Sequence, residues 1–308
     1  MKIVFLDQST LGDDISLEPF NQFGEVITYA TTTQDEILNR IQNVDIVVTN
    51  KVVINKEIMD NSSLKLICVA ATGMNNIDLE YAKQKGIEVK NAVGYSTASV
   101  VQLTFAYVLH FMQKLNYFDD YVKSKQWENS AIFTNVDVPF NELENKKWGI
   151  IGMGNIGKKV ASIAQSFGCE VSYYSTSGAN TNTDYNLQDL NTLLKESDIV
   201  SVHCPLNDTT LNLINKTNLK LIKDGAIILN LGRGGIINEK DLAHEINSRK
   251  LYCGVDVVTK EPIEKANPLN DIRNKDQIVI TPHIAWASKE SRERLIGNIV
   301  NNIKEFVL

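Results

Sequence analysis

The 308-residue chain lacks the features that mark membrane-spanning, exported and disulfide-stabilised proteins. No apolar run approaches the roughly 20 residues that a transmembrane helix needs. The only cysteines are Cys68, Cys169, Cys204 and Cys253, and their spacing fits neither a zinc site nor a disulfide framework. The first residues, MKIVFLDQST, place Asp7 where a signal peptide would continue its apolar segment. We therefore expect a protein of the reducing cytoplasm without a structural metal.

The chain also lacks an excess of positive charge. It carries 31 Lys and Arg against 37 Asp and Glu, a formal net charge of −6. Nonspecific nucleic-acid binding needs a basic face that displaces counterions from phosphates, so this composition argues against a nucleic-acid partner. A small anionic ligand is not excluded, because one arginine in a cleft can outweigh the overall field. With 43% apolar residues, the chain is long enough for two globular domains.

Short β-rich runs alternate with helical patterns in the first part of the chain. The runs are KIVFLD, EVITYA, VDIVVTN, LKLICVA and IEVKNA, and their alternation with helices predicts a parallel sheet. A longer helical pattern, TASVVQLTFAYVLHFMQKL, begins at Thr97. Its apolar residues are too continuous for an exposed helix. We expect this helix to be buried, either within the chain or in a homodimer interface.

A second series of β-rich runs starts at Trp148. It consists of WGIIG, EVSYYS, DIVSVHC, AIILNLG, YCGVDVV and QIVITPH, again interleaved with helical patterns. These runs predict a second parallel sheet with helices on both faces. After His283, the amphipathic stretch SKESRERLIGNIVNNIKEFV has no strand of its own and is expected to pack on the first domain.

The sequence GMGNIG, from Gly152 to Gly157, follows the first strand of the second series and fits a dinucleotide-binding fingerprint. Gly152 would allow a tight turn, Gly154 the approach of a pyrophosphate, and Gly157 the close packing of helix on strand. Asn155 and Ile156 would offer backbone N–H groups at a helix N-terminus, where anions bind. The alternative is a glycine-rich turn without a ligand, but the complete strand series favours a cofactor.

The next strand ends without the acidic residue that usually binds the adenosine ribose. Ser175, Thr176 and Ser177 stand there instead, and no Lys or Arg occurs between Val171 and Leu194. The missing acid removes the repulsion of a 2′-phosphate, and the missing cation removes its attraction. We therefore expect NAD or NADP to bind with weak discrimination.

Polar residues follow every strand of the second series, at the edge where parallel sheets bind ligands. Arg233, in NLGRGG, has neighbouring glycines that leave its guanidinium free to bind a carboxylate through two hydrogen bonds. His283 follows the last strand and Glu261 the one before it. A histidine paired with a carboxylate is a proton donor, because the negative charge favours the imidazolium. No catalytic role is assigned to the remaining histidines, His110, His203 and His244.

The motifs GMGNIG, HCPLNDTT, NLGRGGIINEKDL, GVDVVTKEP and TPHIAWAS stand in the order and spacing of one family. Over essentially its whole length, the chain resembles the D-isomer-specific 2-hydroxyacid dehydrogenases. The segments VAATGMNNIDLE and NAVGYSTASVVQLTFA most resemble the glycerate dehydrogenase, or hydroxypyruvate reductase, branch. The departure is Ser175, where the family usually has an acid. The predicted fold is α/β, with a doubly wound Rossmann domain of residues 99–286 inserted into a flavodoxin-like substrate domain of residues 1–98 and 287–308.

The resemblance implies an enzyme that transfers hydride between NAD(P)H and a small 2-oxoacid. Arg233, Glu261 and His283 would form the catalytic triad, with His283 protonating the carbonyl oxygen. The substrate would contact Arg233, His283, Trp286 and the backbone N–H groups of Thr72 and Gly73. The cofactor would be bound by Thr97, Gly152, Gly154, Asn155, Ile156, Gly157, Ser175, Thr176, Cys204, Pro205, Leu231, Gly232, Arg233, Asp256 and His283. The resemblance also implies a homodimer.

Within the family we predict hydroxypyruvate, reduced to D-glycerate, as the substrate, and glyoxylate, D-lactate and 3-phosphoglycerate remain alternatives. A phosphate would require additional cations, and the loop AATGMNN supplies none. Small pockets discriminate similar acids by only ~1–3 kcal/mol, which motifs do not resolve. A nucleotide-sensing binding protein of the same fold is a further alternative. Such proteins carry long extensions, whereas this chain ends at Leu308 after its last helical pattern, which favours an enzyme.

Overall fold

The computed structural model describes residues 1–180 and 184–308. Contacts between Cα atoms divide the chain into two compact units. Unit 1 comprises Met1–Ser96 and Trp286–Leu308, and unit 2 comprises Thr97–Ala285. The predicted domain boundaries differ from these by one or two residues.

Unit 1 is built on a parallel sheet. Its strands are β1 (Lys2–Phe5), β2 (Glu25–Thr28), β3 (Ile46–Thr49), β4 (Leu66–Val69) and β5 (Glu88–Asn91). The intervening helices are α1 (Ile37–Arg40), α2 (Lys56–Asp60) and α3 (Leu79–Lys85). The strand order β2-β1-β3-β4-β5 is the flavodoxin-like order predicted from the sequence. Strands β3 and β4 are buried along their whole length, as expected of apolar runs covered on both faces.

Unit 2 is built on a second, larger parallel sheet. Its helices are α4 (Thr97–Gln113), α5 (Leu115–Lys123), α6 (Asn155–Ser166), α7 (Leu190–Glu196), α8 (Lys216–Leu219) and α9 (Glu239–Ser248). Its strands are β6 (Lys147–Ile151), β7 (Glu170–Tyr174), β8 (Asn186–Leu187), β9 (Ile199–Val202), β10 (Ile227–Asn230), β11 (Tyr252–Val255) and β12 (Ile278–Ile280). The order β12-β11-β10-β9-β6-β7-β8 is the doubly wound order that the sequence predicts. Strand β8 is not among the predicted strands, because two residues are too short to give a periodic pattern.

Helix α4 is buried within unit 2, which is one of the two alternatives that its apolar pattern predicts. It starts at Thr97, which is partly exposed. The buried side chains are Val100, Val101, Thr104, Phe105, Tyr107, Val108, Phe111 and Met112. Most of them share a core with Trp148 and Ile150 of β6. An exposed stripe remains, formed by Ala98, Gln102, Ala106 and His110.

The chain returns to unit 1 through helix α10 (Lys289–Val307). The hydroxyl of Ser288 caps this helix by accepting a hydrogen bond from Ser291 N at 3.3 Å. The apolar stripe of α10 consists of Leu295, Ile296, Ile299 and Ile303, which are buried in a core with residues of β3 and β4. The amphipathic pattern thus packs on the unit formed by the first part of the chain, as predicted.

The cysteine side chains lie in the apolar cores of the two units. All four cysteines are free and buried. Burial raises the pKa of the Cys68 thiol to about 12 and the pKa values of Cys169 and Cys204 to about 11, so none of these three is a reactive thiolate. Within the described ranges, no helix combines the length and the apolar character that crossing a membrane requires.

Candidate active site

The sheet of unit 2 brings the polar segments predicted from the sequence to one edge. All its strands are parallel, so their carboxyl ends lie on the same side. In sheet order, the groups that follow the strands are His283, then Asp256 and Glu261, then Arg233, Cys204, Gly152 and Ser175. The three residues assigned to catalysis therefore follow three neighbouring strands, β12, β11 and β10.

The glycine-rich turn after β6 has the geometry of an anion site. Gly152 has a φ of +96°, which favours glycine, and a Cβ at Gly157 would lie 2.2 Å from Gly152 O. A Cβ at Gly154 would meet no atom within 4 Å, so open space lies beside the N-terminus of α6. The N–H groups of Asn155 and Ile156 belong to the first turn of α6 and have no intrahelical acceptor. The turn therefore fits the pyrophosphate of a dinucleotide.

The segment after β7 folds back on itself and carries no charge. Asn180 N donates to Ser175 Oγ at 3.3 Å, and Asn180 Nδ2 donates to Met153 O in the glycine-rich turn. Ser175 and Thr176 are partly exposed. Because Ser175 Oγ accepts one hydrogen bond, its proton remains for an acceptor such as a ribose or phosphate oxygen. No Asp, Glu, Lys or Arg occurs in residues 175–183, of which 181–183 lie outside the described residues.

The segment after β9 contains a histidine that is held neutral. His203 N donates to Ile151 O at 2.8 Å, which extends the pairing of β9 with β6. Both ring nitrogens of His203 are buried, and neither has a hydrogen-bond partner among the described residues. Burial lowers the pKa of His203 to about 3. The ring therefore does not act as an imidazolium near neutral pH. Of the next two residues, Cys204 is buried and Pro205 is exposed.

Arg233 lies in a tight loop after β10. Asn230 Nδ2 donates to Arg233 O at 2.9 Å, and Gly232 N donates to Asn230 Oδ1 at 3.2 Å. The flanking glycines were predicted to leave the guanidinium unobstructed. The structure gives them a packing role as well, because a Cβ at Gly234 would lie 2.0 Å from Val258 C and one at Gly232 2.8 Å from a backbone oxygen of the segment after β9.

Among the described residues, the guanidinium of Arg233 makes a single hydrogen bond. Its Nη1 donates to Gly232 O at 2.9 Å, and its other N–H groups have no acceptor in the described part of the chain. No carboxylate of the described residues lies within 4.0 Å of the guanidinium nitrogens, so Arg233 forms no salt bridge with them. Leu231, two residues before Arg233, is buried and anchors the loop. A planar guanidinium with free donors is suited to binding a carboxylate.

Asp256 organises the loop that carries His283. It is 2% exposed, and its carboxylate accepts hydrogen bonds from Thr281 Oγ1 at 2.5 Å, Ile284 N at 2.8 Å and Ala285 N at 2.9 Å. Its backbone oxygen accepts from His283 N at 2.8 Å. These bonds hold His283 at a φ of +54°, a region that non-glycine residues rarely adopt. The resemblance assigned Asp256 to the cofactor, and the structure gives its carboxylate to this loop.

His283 and Glu261 form a pair. His283 Nδ1 lies 2.7 Å from Glu261 Oε2, and Glu261 Oε1 accepts from Val258 N at 3.2 Å. The side chains are 22% and 31% exposed, so a ligand can reach them. When the ring is an imidazolium, Nδ1–H donates to the carboxylate and Nε2–H remains for a ligand. The pair therefore has the geometry of a positioned proton donor.

The substrate residues assigned outside the triad lie in unit 1. Thr72 Oγ1 donates to Ala92 O at 3.0 Å, which fixes the loop after β4. In residues 1–180 and 184–308, the N–H groups of Thr72 and Gly73 have no acceptor, so both can bind an anion. Trp286 is partly exposed, and its ring lies 6.3 Å from that of Tyr95 in an edge-on arrangement.

Fold and site together define a class of protein. The sheet is doubly wound and has a turn suited to pyrophosphate, an arginine suited to binding a carboxylate, and a His–Glu pair at neighbouring strand ends. These features are typical of an oxidoreductase that uses a nicotinamide dinucleotide. The described residues hold no cluster of three or more His, Cys, Asp or Glu suited to a metal ion.

Comparison with known proteins identifies the family. Residues 105–285 match the NAD binding domain of the D-isomer specific 2-hydroxyacid dehydrogenases. The chain is 40% identical over 315 residues to a hydroxypyruvate reductase of Blautia hydrogenotrophica, with 100% of this chain and 97% of the relative covered. The chain therefore belongs to the D-isomer specific 2-hydroxyacid dehydrogenase family, and the resemblance seen in its motifs is confirmed.

Two solved structures are similar over nearly the whole chain. A D-lactate dehydrogenase of Aquifex aeolicus, complexed with NAD and lactic acid, is 27% identical with a TM-score of 0.84, covering 99% of this chain and 95% of that one. An acyclic imino acid reductase in complex with NADPH and D-Arg is 27% identical with a TM-score of 0.85, covering 100% and 97%. The predictions of the two-domain α/β fold, of an NAD- or NADP-dependent oxidoreductase and of its cofactor are confirmed.

Proposed function

We propose that the protein reduces hydroxypyruvate to D-glycerate. The observation that carries the proposal is the 2.7 Å pair of His283 Nδ1 and Glu261 Oε2 at the same sheet edge as Arg233, whose guanidinium has free donors. The choice of acid is supported by the hydroxypyruvate reductase of Blautia hydrogenotrophica, which is 40% identical over the full length.

The residues supply what the reduction of a 2-oxoacid needs. Arg233 binds the carboxylate through a planar pair of hydrogen bonds, and the N–H groups of Thr72 and Gly73 bind it as well. His283 Nε2 donates its proton to the carbonyl oxygen as that oxygen gains negative charge. Glu261 stabilises the imidazolium before the transfer. The bound nicotinamide supplies the hydride.

The cofactor is bound by the carboxyl edge of unit 2. The first turn of α6, with Asn155 and Ile156, takes the pyrophosphate, and Gly154 leaves the space for it. Ser175 and Thr176 present hydroxyl groups to the adenosine ribose. The other residues that the resemblance assigns to the cofactor are Thr97, Gly152, Gly157, Cys204, Pro205, Leu231, Gly232, Arg233, Asp256 and His283, and of these Asp256 has its carboxylate bonded to the loop that carries His283.

A substrate panel tests the proposed reaction. Hydroxypyruvate, glyoxylate, pyruvate and phosphohydroxypyruvate are each offered with NADH and with NADPH, and the loss of nicotinamide absorbance is followed. We expect the highest kcat/KM with hydroxypyruvate. A higher value with pyruvate or phosphohydroxypyruvate would assign the protein to another branch, and turnover of none of these acids would refute the proposed function.

We also propose that the protein is a homodimer. Support comes from an apolar surface segment, residues 115–140, in which the exposed large apolar side chains are Leu115, Tyr117, Val122, Trp127, Ile132, Phe133, Val136 and Phe140. Phe133 is 88% exposed and Trp127 49%. Soluble monomers rarely expose so many neighbouring apolar side chains, and aromatic residues are enriched in interfaces. A second copy of the chain would bury them.

Light scattering tests the homodimer. The wild type should have twice the mass of the chain, and the double substitution Trp127→Ser with Phe133→Ser should give monomers at micromolar concentration. Leu187→Ser, which changes an apolar residue of β8 that is 54% exposed, is the matched control and should remain dimeric. A wild type with the mass of one chain would contradict the proposal.

The proposed location is the cytoplasm. Four free, buried cysteines are compatible with a compartment that keeps thiols reduced. Cell fractionation with an antibody against the protein tests this, and recovery with the exported proteins would contradict it.

A further inference from the structure

The carboxyl edge of the unit 1 sheet carries one cation without a partner. Among the five residues that follow each of its strands, Lys51 is the only Lys or Arg. Its side chain is exposed and makes no salt bridge or hydrogen bond to any residue that the structure describes. By contrast, Arg40 and Arg292 of the same unit each hold a carboxylate. A cation at a ligand-binding edge that is not used within the chain is available to a ligand.

The backbone of Lys51 is fixed by a buried carboxylate. Asp7, which follows β1, is 8% exposed. Its carboxylate accepts hydrogen bonds from Lys51 N at 2.7 Å, from Asn50 N at 2.9 Å and from Thr49 Oγ1 at 3.2 Å. Charge-assisted bonds to successive N–H groups hold this end of β3 in one conformation. The starting point of the Lys51 side chain is therefore preorganised.

The register of the sheet places Lys51 beside the anion-binding loop of unit 1. Thr49 of β3 pairs with Val69 of β4. Further along, Ile54 forms a parallel bridge with Ile77, so the segment that contains Lys51 runs beside the segment that contains Thr72 and Gly73. Neighbouring strands lie about 4.8 Å apart, a separation that a lysine side chain spans easily. The ammonium can therefore reach a ligand that is bound to the N–H groups of Thr72 and Gly73.

The two loops are also joined by hydrogen bonds. Asn76 Nδ2 donates to Val52 O at 3.0 Å, and Ile54 N donates to Asn76 O at 2.9 Å. The segment after Lys51 is thus tied to the segment after Gly73. These bonds keep the two ligand-facing loops in a constant relation, as a specificity site requires.

We propose that Lys51 binds the oxygen on C3 of the substrate and thereby selects 2-oxoacids that carry a hydroxyl group there. This inference rests on the proposed function. Under the proposed function, the carboxylate and the carbonyl oxygen of hydroxypyruvate already have their binding partners. The polar group left over is the 3-hydroxyl. An ammonium has donors only, so it recognises that oxygen, which pyruvate and glyoxylate lack.

The substitution Lys51→Met tests this selection. We expect it to lower kcat/KM for hydroxypyruvate by about 10- to 100-fold, the usual worth of a hydrogen bond to a charged group, and to change the value for pyruvate by less than about threefold. Lys51→Arg should retain most of the preference. Lys56→Met is the matched control, because Lys56 is exposed on α2 of the same unit, and it should leave the ratio of the two values unchanged.

A binding measurement separates recognition from catalysis. D-glycerate and D-lactate differ only in the 3-hydroxyl, so Lys51→Met should weaken product inhibition by D-glycerate and leave inhibition by D-lactate unchanged. Thermal unfolding checks that the variant is folded. An unchanged hydroxypyruvate-to-pyruvate ratio, or an equal loss for both acids, would overturn the role of Lys51 at C3. A wild type that reduces no 2-oxoacid would refute the proposed function instead.

Discussion

The two units use the same device at their ligand-binding edges, a buried aspartate that holds the loop of the neighbouring strand. Asp7 accepts hydrogen bonds from Asn50 N, Lys51 N and a threonine hydroxyl. Asp256 accepts them from two successive backbone N–H groups of residues 284–285 and from another threonine hydroxyl. Each carboxylate forms its hydrogen bonds within the chain and thereby fixes the backbone of the neighbouring loop. Under the proposed function, the residue that the loop carries makes the direct contact with the ligand.

The difference between the units lies in the carried side chain. In unit 2, His283 is fixed a second time, by the carboxylate of Glu261. In unit 1, the ammonium of Lys51 has no partner in the described part of the chain. A proton donor must be held within a few tenths of an ångström before the substrate arrives, whereas a flexible cation can adjust to the substrate after it has bound. Under the proposed function, the fixed side chain His283 is the proton donor, and the cation Lys51 recognises the substrate.

The largest expected effect follows from removing the fixed proton donor. His283→Ala should lower kcat by about 10²–10⁴, the usual contribution of a positioned general acid. Steady-state kinetics with hydroxypyruvate measures this loss. His110→Ala, which changes an exposed histidine of α4, is the control and should leave kcat unchanged. A loss of less than tenfold in His283→Ala would assign the proton to another group.

The partner of His283 is tested by a change that keeps its shape. In Glu261→Gln, the pH profile of reduction should move to lower pH, because a neutral amide stabilises the imidazolium less than a carboxylate does. The profile of kcat against pH, compared with that of the wild type, shows the shift. An unchanged profile would contradict the pairing.

Substitution of the two aspartates should lower the stability of the protein equally but affect its kinetics differently. Asp7→Asn and Asp256→Asn should each lower the free energy of unfolding by about 2–4 kcal/mol, because each replaces a buried acceptor by a group that also donates. Asp256→Asn should also lower kcat by up to about 100-fold through displacement of His283. Asp7→Asn should raise the KM for hydroxypyruvate with little change in kcat.

Urea unfolding and steady-state kinetics on the same preparations check this pair of expectations. The two variants are matched controls for each other, since both lose the same chemical group from a buried strand end. Equal losses of kcat in Asp7→Asn and Asp256→Asn would contradict the expectation that only Asp256 affects the position of the proton donor.

The sequence predicts the sheets well and the loop contacts poorly. The apolar runs predict all five strands of unit 1 and six of the seven strands found in the described residues of unit 2. The motifs also predict that Arg233, Glu261 and His283 follow neighbouring strands. Strand order follows from local patterns and a few topological rules, which is why it can be inferred from one sequence.

The role of Asp7 could not be predicted, because its partners lie 43 and 44 residues away. In the sequence it appeared only as a residue that interrupts an apolar start. The packing role of the glycines beside Arg233 could not be predicted either, because the backbone that they contact follows other strands. Hydrogen bonds between distant loops leave no periodic signal in a sequence. Residues that position other residues are therefore harder to predict than residues that carry chemistry.

A smaller effect is expected in the segment that follows β7. Its residues 175–183 include neither an aspartate nor any other charged residue. Ser175 offers a neutral hydroxyl, so NADH and NADPH should differ in kcat/KM by no more than one to two factors of ten, about 1.4–2.8 kcal/mol. Ser175→Asp should depress binding and use of NADPH specifically, because the carboxylate repels the 2′-phosphate. Fluorescence titration of both reduced cofactors measures the affinities.

The control for the added charge is Gln22→Glu, on the exposed surface of unit 1, which should affect both cofactors equally. A wild-type preference above a thousandfold for NADPH would mean that a basic residue from a distant segment reaches the phosphate.

The smallest expected effect concerns His203, whose buried ring nitrogens have no hydrogen-bond partner among the described residues. Its pKa is lowered to about 3 by burial, whereas a histidine in the unfolded chain titrates near 6.5. As the pH falls below about 6.5, this histidine is protonated in the unfolded state but not in the folded state. The free energy of unfolding therefore decreases by up to about 1.4 kcal/mol per pH unit because of this residue. Above pH 6.5 the residue contributes no pH dependence.

The variant His203→Leu isolates this contribution from that of the carboxylates, which titrate in both proteins. The difference in unfolding free energy between variant and wild type should be constant between pH 7 and 8 and should grow in favour of the variant between pH 6.5 and 5, by about 1 kcal/mol per unit. The exposed His244, changed to Gln, should show no such growth, because an exposed ring is protonated alike in both states. Parallel curves for His203→Leu and the wild type would mean that the ring gains a partner in solution, through a water molecule or a local opening.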